Sequence, residues 1–412
     1  MLTELRTQNF KSWQDTGIMP ISPILGLFGK NSAGKTSILQ LLLMWKKTVE
    51  SSDIKRVIDT GNDDSYVNLG SYYDIIYNHK RMEPLRFSFS WKLPETISLS
   101  LLNTESTFED KLLMIDSLTF EASISFESSI IVQEFAYSFQ CDRGTNYKFG
   151  MKRQRENEYQ LIAEGYSVKS ITSPSLPLPN PIKSYDFPKQ TYLYYYNATF
   201  LTDLVLELEK LWQNLYYLGP LREYPKRSYY WTGTQPQDVG KRGELAIPAL
   251  LASRTLSGNE TLEINVAEAL QKLGIIHDFS LRKSPTNSYQ LLVKPSPNSP
   301  EVLITDVGFG VSQILPVLVL CYYTPVGSTI ILEQPEIHLH PSAQANLADI
   351  FIDVIKTRNI QIIVESHSEH LLRRLQRRIA EEKQGFSPAD ASLYFCQMDQ
   401  QGTSQLIPLK GI

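Results

Sequence analysis

Apolar and polar positions follow three regimes along the chain. Leu2 to Phe10 alternates with period two, which predicts an edge strand. Pro23–Phe28 (PILGLF) is a short apolar run with a β bias. A glycine-rich turn follows, then Ser37–Thr48 (SILQLLLMWKKT), a helix that is apolar first and basic at its C-terminal end. From Leu85 to Glu164 the period is two again. RFSFSW, LTFEASISFE, IIVQEFAYSF, YKFGMK and YQLIAEG read as successive strands of an antiparallel sheet.

Residues 171–190 hold five prolines and are a loop or linker. Thr199–Tyr217 reads as an amphipathic helix, 218–260 as loops mixed with helix, and Asn265–Leu273 as a further helix. Short strands, Tyr289–Lys294 and Glu301–Ile304, flank the turn PSPNSP. In the last third, helices at Ser312–Tyr323, Gln344–Lys356 and Glu369–Glu382 alternate with buried-type strands at Ser328–Leu332 and Ile360–Val364. That alternation predicts a mostly parallel sheet. No internal repeat and no sustained heptad array interrupts this pattern.

Composition narrows the class. The 412 residues are 42% hydrophobic and 20% charged, which excludes wholesale disorder. Forty Lys and Arg against 44 Asp and Glu leave a net charge of −4, so net charge alone does not hold this chain on nucleic acid. No apolar run approaches the ~18 residues of a membrane span, and MLTELRTQNF contains no signal-type apolar core. Cys141, Cys321 and Cys396 are widely spaced and read as reduced thiols of a cytoplasmic protein.

Gly29-Lys30-Asn31-Ser32-Ala33-Gly34-Lys35-Thr36, with Ser37 next, has the form G-x-x-x-x-G-K-T between a strand and a helix. Glycines let such a loop turn its backbone N–H groups onto phosphate oxygens, and the helix N-terminus adds its own donors. Lys35 is expected to reach the β- and γ-phosphates of ATP, and the Thr36 hydroxyl to ligate Mg²⁺. Such a loop needs a strand that ends in acid. STIILEQPE supplies Glu333 after the apolar run Ile330–Leu332, and Glu336 three positions later. Glu333 is expected to sit on the metal side. Most of the chain separates the two halves of this site.

The order LTELRTQNFKSW, GKNSAGKTS, LGPLREYPKR, DVGFGVSQILPVL, LEQPEIHLHP and VESHSEHLLRRL resembles ATPases of the ABC/SMC-like branch. Within that branch it is most similar to prokaryotic AAA-type proteins related to the ATPase half of the overcoming-lysogenization-defect nucleases. The resemblance implies an α/β fold: an ABC-type P-loop ATPase head of mixed or parallel sheet with flanking helices, plus an antiparallel β subdomain and an inserted helical region. The expected division is 1–165 for the N-terminal half of the head, 166–285 for the inserted region and 286–412 for the C-terminal half.

By the same resemblance His367 is the switch histidine. Gly308, Gly310 and Ser312 lie in the signature segment that caps nucleotide bound by a second subunit. The partners implied are a second copy of the chain across sandwiched ATP, or a higher homo-oligomer, and a protein effector such as a nuclease. DNA or RNA is a further candidate, and no membrane is involved. The cofactors are ATP and Mg²⁺, and the setting is antiviral defence or DNA repair. No nuclease domain is expected, because too few residues follow His367.

Two departures stand out. Gln334 occupies the place of the usual catalytic glutamate, and an amide does not take a proton from water. Gln334 can orient the water instead, or Glu336 can act as the base; slow turnover, or a stable ATP-bound scaffold holding an effector, follows. The signature segment also reads VGFGVSQ rather than LSGGQ.

Other features carry two readings each. His338, His340, His367 and His370 lack the acids or cysteines of a zinc site and read mainly as packing or contact residues, His367 apart. Arg373, Arg374, Arg377 and Arg378 form one basic stripe, either a phosphate-backbone track or a solvated face. Lys152, Arg153 and Arg155 sit at a hairpin. Arg222 and Arg227 either meet phosphate or brace the fold. Tyrosine pairs such as Tyr216-Tyr217 read as half-buried core.

Overall fold

A computed structural model describes residues 1–80, 83–101, 111–141, 144–172, 175–255, 261–285 and 288–409. The first half of the chain carries strands β1 (Leu2–Phe10), β2 (Trp13–Asp15), β3 (Met19–Pro20), β4 (Ile24–Gly29), β5 (Leu85–Leu101), β6 (Lys111–Phe126), β7 (Ile130–Gln140), β8 (Asn146–Arg155) and β9 (Glu158–Glu164). Its helices are α1 (Lys35–Glu50), α2 (Tyr72–Ile75), α3 (Lys189–Tyr194) and α4 (Leu201–Gln213). The second half carries β10 (Leu215–Leu218), β11 (Asp278–Lys283), β12 (Tyr289–Lys294), β13 (Val302–Leu303), β14 (Thr329–Glu333), β15 (Gln361–Glu365), β16 (Ala391–Met398) and β17 (Ser404–Pro408). Its helices are α5 (Ala246–Ser253), α6 (Leu262–Lys272), α7 (Phe309–Tyr323), α8 (Pro341–Arg358) and α9 (Glu369–Ala380).

These elements group into two compact units that interleave along the chain. The first is built from Met1–Ile21, Ser32–Gln213 and Gln397–Leu406; the second from Ser22–Asn31, Asn214–Cys396 and the segment after Leu406. Residues 166–213 fall in the first unit and 214–285 in the second.

In the first unit an antiparallel sheet runs β2-β1-β5-β6-β7-β8-β9, with β3 also on β1. β1 is therefore interior rather than an edge, because two short strands cover the side that its alternation left open. On β5, Phe87, Phe89 and Trp91 turn inward while Arg86 points out. Cross-strand register puts Phe89 opposite Phe120, and Phe120 opposite Tyr137. α1 lays Trp45 across this face, edge-on to Phe87, Phe89 and Phe120 at 5.1–5.4 Å between ring centres. α4 adds Trp212, stacked on Trp45 at 6.3 Å.

The second unit is organised by parallel strands in the order β10-β14-β15-β4-β16. Every residue of β14 and β15 is buried, which is why these runs read as continuous rather than alternating apolar strands. Ile330, Leu332, Ile362, Val364 and Ile24 share one core with α7 and α8. α7 is buried from Val311 to Tyr323 despite Pro316 in its interior. β11, β12 and β13 form a separate antiparallel sheet.

Three expectations change. The helix expected over Thr199–Tyr217 stops at Gln213, and Leu215–Leu218 becomes a strand parallel to β14. β11 and β16 were not read from the sequence. α7 begins at Phe309, one turn earlier than Ser312.

Truncating Trp45 removes the shared ring of the α1–sheet contact. Trp45→Ala is expected to lower stability by about 3–5 kcal/mol, read as a fall in urea midpoint by tryptophan fluorescence and circular dichroism; a change below ~1 kcal/mol contradicts this packing account.

Candidate functional site

Parallel register brings distant segments to one edge of the second unit. Glu333 pairs with Glu365, Glu365 with Leu27, and Leu218 with Leu332. The carboxyl ends of β10, β14, β15 and β4 therefore lie in a row. The loops that leave them begin at Gly219, Gln334, Ser366 and Lys30. In open parallel sheets ligands bind at this edge.

The P-loop leaves β4 through Gly29, whose φ is 135°. A Cβ there collides with the Cys396 carbonyl, so only glycine lets β4 and β16 close up. Lys30, Asn31 and Ser32 are exposed and Ala33 is buried. Gly34 (φ 93°) is the N-cap of α1; its carbonyl accepts a 3.1 Å hydrogen bond from Trp13 Nε1, and a side chain there collides with Ser404 and Trp13. No side chain caps α1, and its first turn carries no acid. Its N-terminal dipole is thus left for an anion. Lys35 is buried, at 2% exposure, while Thr36 and Ser37 are partly so. These features fit phosphate in the loop.

Glu333 ends β14 and is 8% exposed. Its Oε1 accepts from Tyr217 OH at 2.9 Å, and its backbone carbonyl from Arg222 Nη2 at 3.3 Å. Burial, then the neighbouring Glu365, push its carboxyl up to about 7, against the opposing pull of Tyr217 and Arg222. Burial beside Glu333 also raises the Tyr217 phenol far above its usual range. Burial lowers the Arg222 guanidinium to about 10, which leaves it charged at neutral pH. Two carboxylates in register at a buried edge form a donor set suited to a hard divalent cation.

Gln334 has a left-handed backbone (φ 46°), and its N–H donates to the Glu365 carbonyl at 2.8 Å. Glu336 is buried at 6% exposure. Its Oε1 accepts from Ser366 Oγ at 2.7 Å and from the His367 N–H at 2.9 Å, whereas its Oε2 has no hydrogen-bond partner. Ser366 N–H donates to the Leu27 carbonyl at 3.1 Å. One carboxylate therefore ties the loop after β14 to the loop after β15. The His367 ring is exposed while its backbone is held. Ser368 caps α9 at Leu371 N and donates to Gln344 at 2.6 Å.

Gly308 caps α7, and Gly310 approaches the His338 carbonyl so closely that a Cβ would come within 3.0 Å. The Phe309 ring lies 5.0 Å from His338 and 5.4 Å from Tyr224. Ser312 does not open the helix. It lies in the first turn of α7, 7% exposed, and its hydroxyl donates to the Phe309 carbonyl at 2.7 Å. The segment thus presents glycine backbone rather than a free serine.

Tyr217 and Glu365 belong to this constellation and were missed. The signals were an aromatic at the end of LYYL just before GPLR, and an acid at the end of IQIIVE. Among the described residues no group of three or more His, Cys, Asp and Glu side chains forms a metal cluster. His340 instead caps α8 by accepting from Ser342 N–H. The arginine stripe is matched in charge: Arg373 to Glu369, Arg374 and Arg378 to Asp349, and Arg377 to Glu381. Arg227 pairs with Asp306 at 2.9 Å, and Lys152 with Glu134 at 3.3 Å.

Residues 250–372 match the family model described as an AAA ATPase domain. No curated protein matches the chain. Three solved structures align over nearly its whole length. One, the Smc head bound to the C-terminal winged-helix domain of ScpA, is 12% identical over 99% of this chain and 97% of its own, with a TM-score of 0.47. The SMC head domain from Thermotoga maritima is 10% identical, with 99% of both chains covered and a TM-score of 0.41. The Pyrococcus furiosus Smc head with an extended coiled coil, bound to the C-terminal domain of ScpA, is 11% identical over 99% and 96%, with a TM-score of 0.45. No helix among the described residues is long and apolar enough to cross a membrane. The structure is thus a mixed α/β fold with a P-loop between β4 and α1 beside a parallel sheet, and its residues 250–372 are similar to an AAA ATPase domain.

Proposed function

We propose that the chain binds Mg²⁺-ATP at the P-loop and hydrolyses it slowly, and that ATP-bound copies pair to gate a protein effector. The observation that supports this reading is the row of loops at one sheet edge, where Glu333, Glu336 and the His367 backbone converge on the sheet that feeds the P-loop. Lys35 and the loop N–H groups hold phosphate; Thr36 and Glu333 hold the metal side. Magnesium, when bound, neutralises charge on the phosphates. Glu336, rather than Gln334, takes the proton of the attacking water through the oxygen that has no other partner. Gln334 orients that water. The same Glu336 transmits the state of the site to His367 through the loop it holds.

The signature glycines Gly308 and Gly310 cap nucleotide held by a second copy. A role in antiviral defence or repair, a kinship with the overcoming-lysogenization-defect proteins, and direct contact with nucleic acid belong to the same proposal at greater distance. The matched charges on α9 weigh against that helix as a nucleic-acid track. A second reading, a scaffold that holds ATP without turning it over, is favoured by Gln334 alone.

Steady-state ATP turnover separates the two. Low wild-type turnover, none in Lys35→Ala, a fall of about 100-fold or more in Glu336→Gln and a rise in Gln334→Glu are expected. Tight nucleotide retention with no turnover in any variant establishes the scaffold instead.

Glu333 also links stability to pH. Its native pKa lies above the ordinary carboxylate value, so between 4.5 and about 7 the native state holds a proton that the unfolded state releases. Stability of the metal-free protein therefore falls as pH rises through this window, and Glu333→Gln flattens the slope. Urea midpoints from pH 5 to 8 check this; an equal slope in Glu333→Gln contradicts it.

A further inference from the structure

Arg222 stands four residues past the end of β10 in the loop Gly219-Pro220-Leu221-Arg222. Two backbone bonds pin this loop within its unit: Gly219 N–H to the Lys241 carbonyl and Glu223 N–H to the Arg242 carbonyl, both 2.9 Å. Leu221 is turned out, at 76% exposure, and Arg222 is turned in, at 4%. Only one of its three guanidinium nitrogens is used, Nη2 on the Glu333 carbonyl. Nε and Nη1 are buried without a hydrogen-bond partner.

A buried charged donor left unpaired carries a desolvation cost that nothing offsets. Neither adjacent acid removes that cost. The Glu333 carboxylate accepts from Tyr217 and the Glu336 carboxylate from Ser366 and His367, and neither accepts from Nε or Nη1. An arginine that serves only to brace the fold spends its donors on carbonyls or carboxylates, as Arg378 does on Asp349 and Glu381. Arg222 does not. It is immobilised, charged and short of acceptors, at the sheet edge where the two acids of the candidate site emerge.

We propose that Arg222 is a phosphate-binding residue of this edge: its Nε and Nη1 donate to oxygens of the terminal phosphate of bound nucleotide, so that the site distinguishes triphosphate from diphosphate. A guanidinium is suited to this because its planar donors match phosphate oxygens and its charge survives burial. The acids on either side then face metal and water, and Arg222 faces the phosphate. The inference rests on the nucleotide reading above and adds to it the residue that senses the third phosphate. The chemistry is shared by the terminal phosphate of a nucleoside triphosphate and by inorganic phosphate retained after cleavage.

The test uses the full chain as wild type, Arg222→Gln and Arg222→Lys, each first melted to establish folding. Affinities for ATPγS and ADP are measured with Mg²⁺, and ADP is titrated again with added inorganic phosphate. The expected result is preferential binding of ATPγS by the wild type and a loss of about 10- to 100-fold for ATPγS in Arg222→Gln, with ADP affinity changed by less than about threefold. Arg222→Lys falls between, because it keeps charge but not the planar donors. If phosphate tightens ADP binding in the wild type only, the residue also holds the released phosphate; if it does not, the triphosphate is its sole ligand, and either result supports the assignment. Equal losses for ATPγS and ADP, or no loss, in folded variants overturn it and leave the nucleotide reading standing. A wild type that binds neither nucleotide overturns both. If Arg222→Gln fails to fold, the same comparison on Arg222→Lys decides.

Discussion

Parallel pairing of β14 between β10 and β15, and of β15 with β4, is the constraint on which the second unit depends. Ile330, Ile331, Leu332, Ile362, Ile363 and Val364 are wholly buried, and their packing fixes which residue stands beside which. That register sets Glu333 beside Glu365 with little solvent to separate their charges. Burial first, and then the neighbouring Glu365, raise the Glu333 pKa. Apolar burial along the strands holds the two acids side by side at this edge.

The loops at that edge are tied together by side chains rather than by further sheet. Tyr217 reaches Glu333 from the strand on one side. Glu336 reaches Ser366 and His367 on the other. A change at the end of β14 thus has a short physical route to the start of α9, through one carboxylate oxygen and two donors. Charge placed on or removed from Glu336 therefore acts on the positions of both loops.

Much of this architecture was legible in the sequence. Continuous apolar runs marked β14 and β15, the first ending in acid, alternation marked β5 to β9, and the spacing of glycines marked the P-loop. What escaped detection has physical causes. LYYL followed directly on an amphipathic helix whose period ran into it, and its partner β14 lies more than a hundred residues away, so β10 was read as more helix. β1 looked like an edge because β2 and β3 are too short to carry a pattern. Ser312 was placed at a helix start, since Phe309 and Gly310 give no helical signal. The partners of Glu333 were invisible because cross-strand neighbours are a property of register, not of sequence order.

If the P-loop and Glu333 serve one metal–nucleotide site, as proposed, Mn²⁺ substituted for Mg²⁺ reports on both. Mn²⁺ affinity would be read by electron paramagnetic resonance in the presence of ATP, for the wild type, Lys35→Ala and Glu333→Gln. Expected are Mn²⁺ coupled to phosphorus in the wild type, loss of nucleotide and metal together in Lys35→Ala, and metal binding weakened about tenfold or more in Glu333→Gln with nucleotide still bound. Undiminished Mn²⁺ binding in Glu333→Gln, with the phosphorus coupling intact, would contradict that proposal.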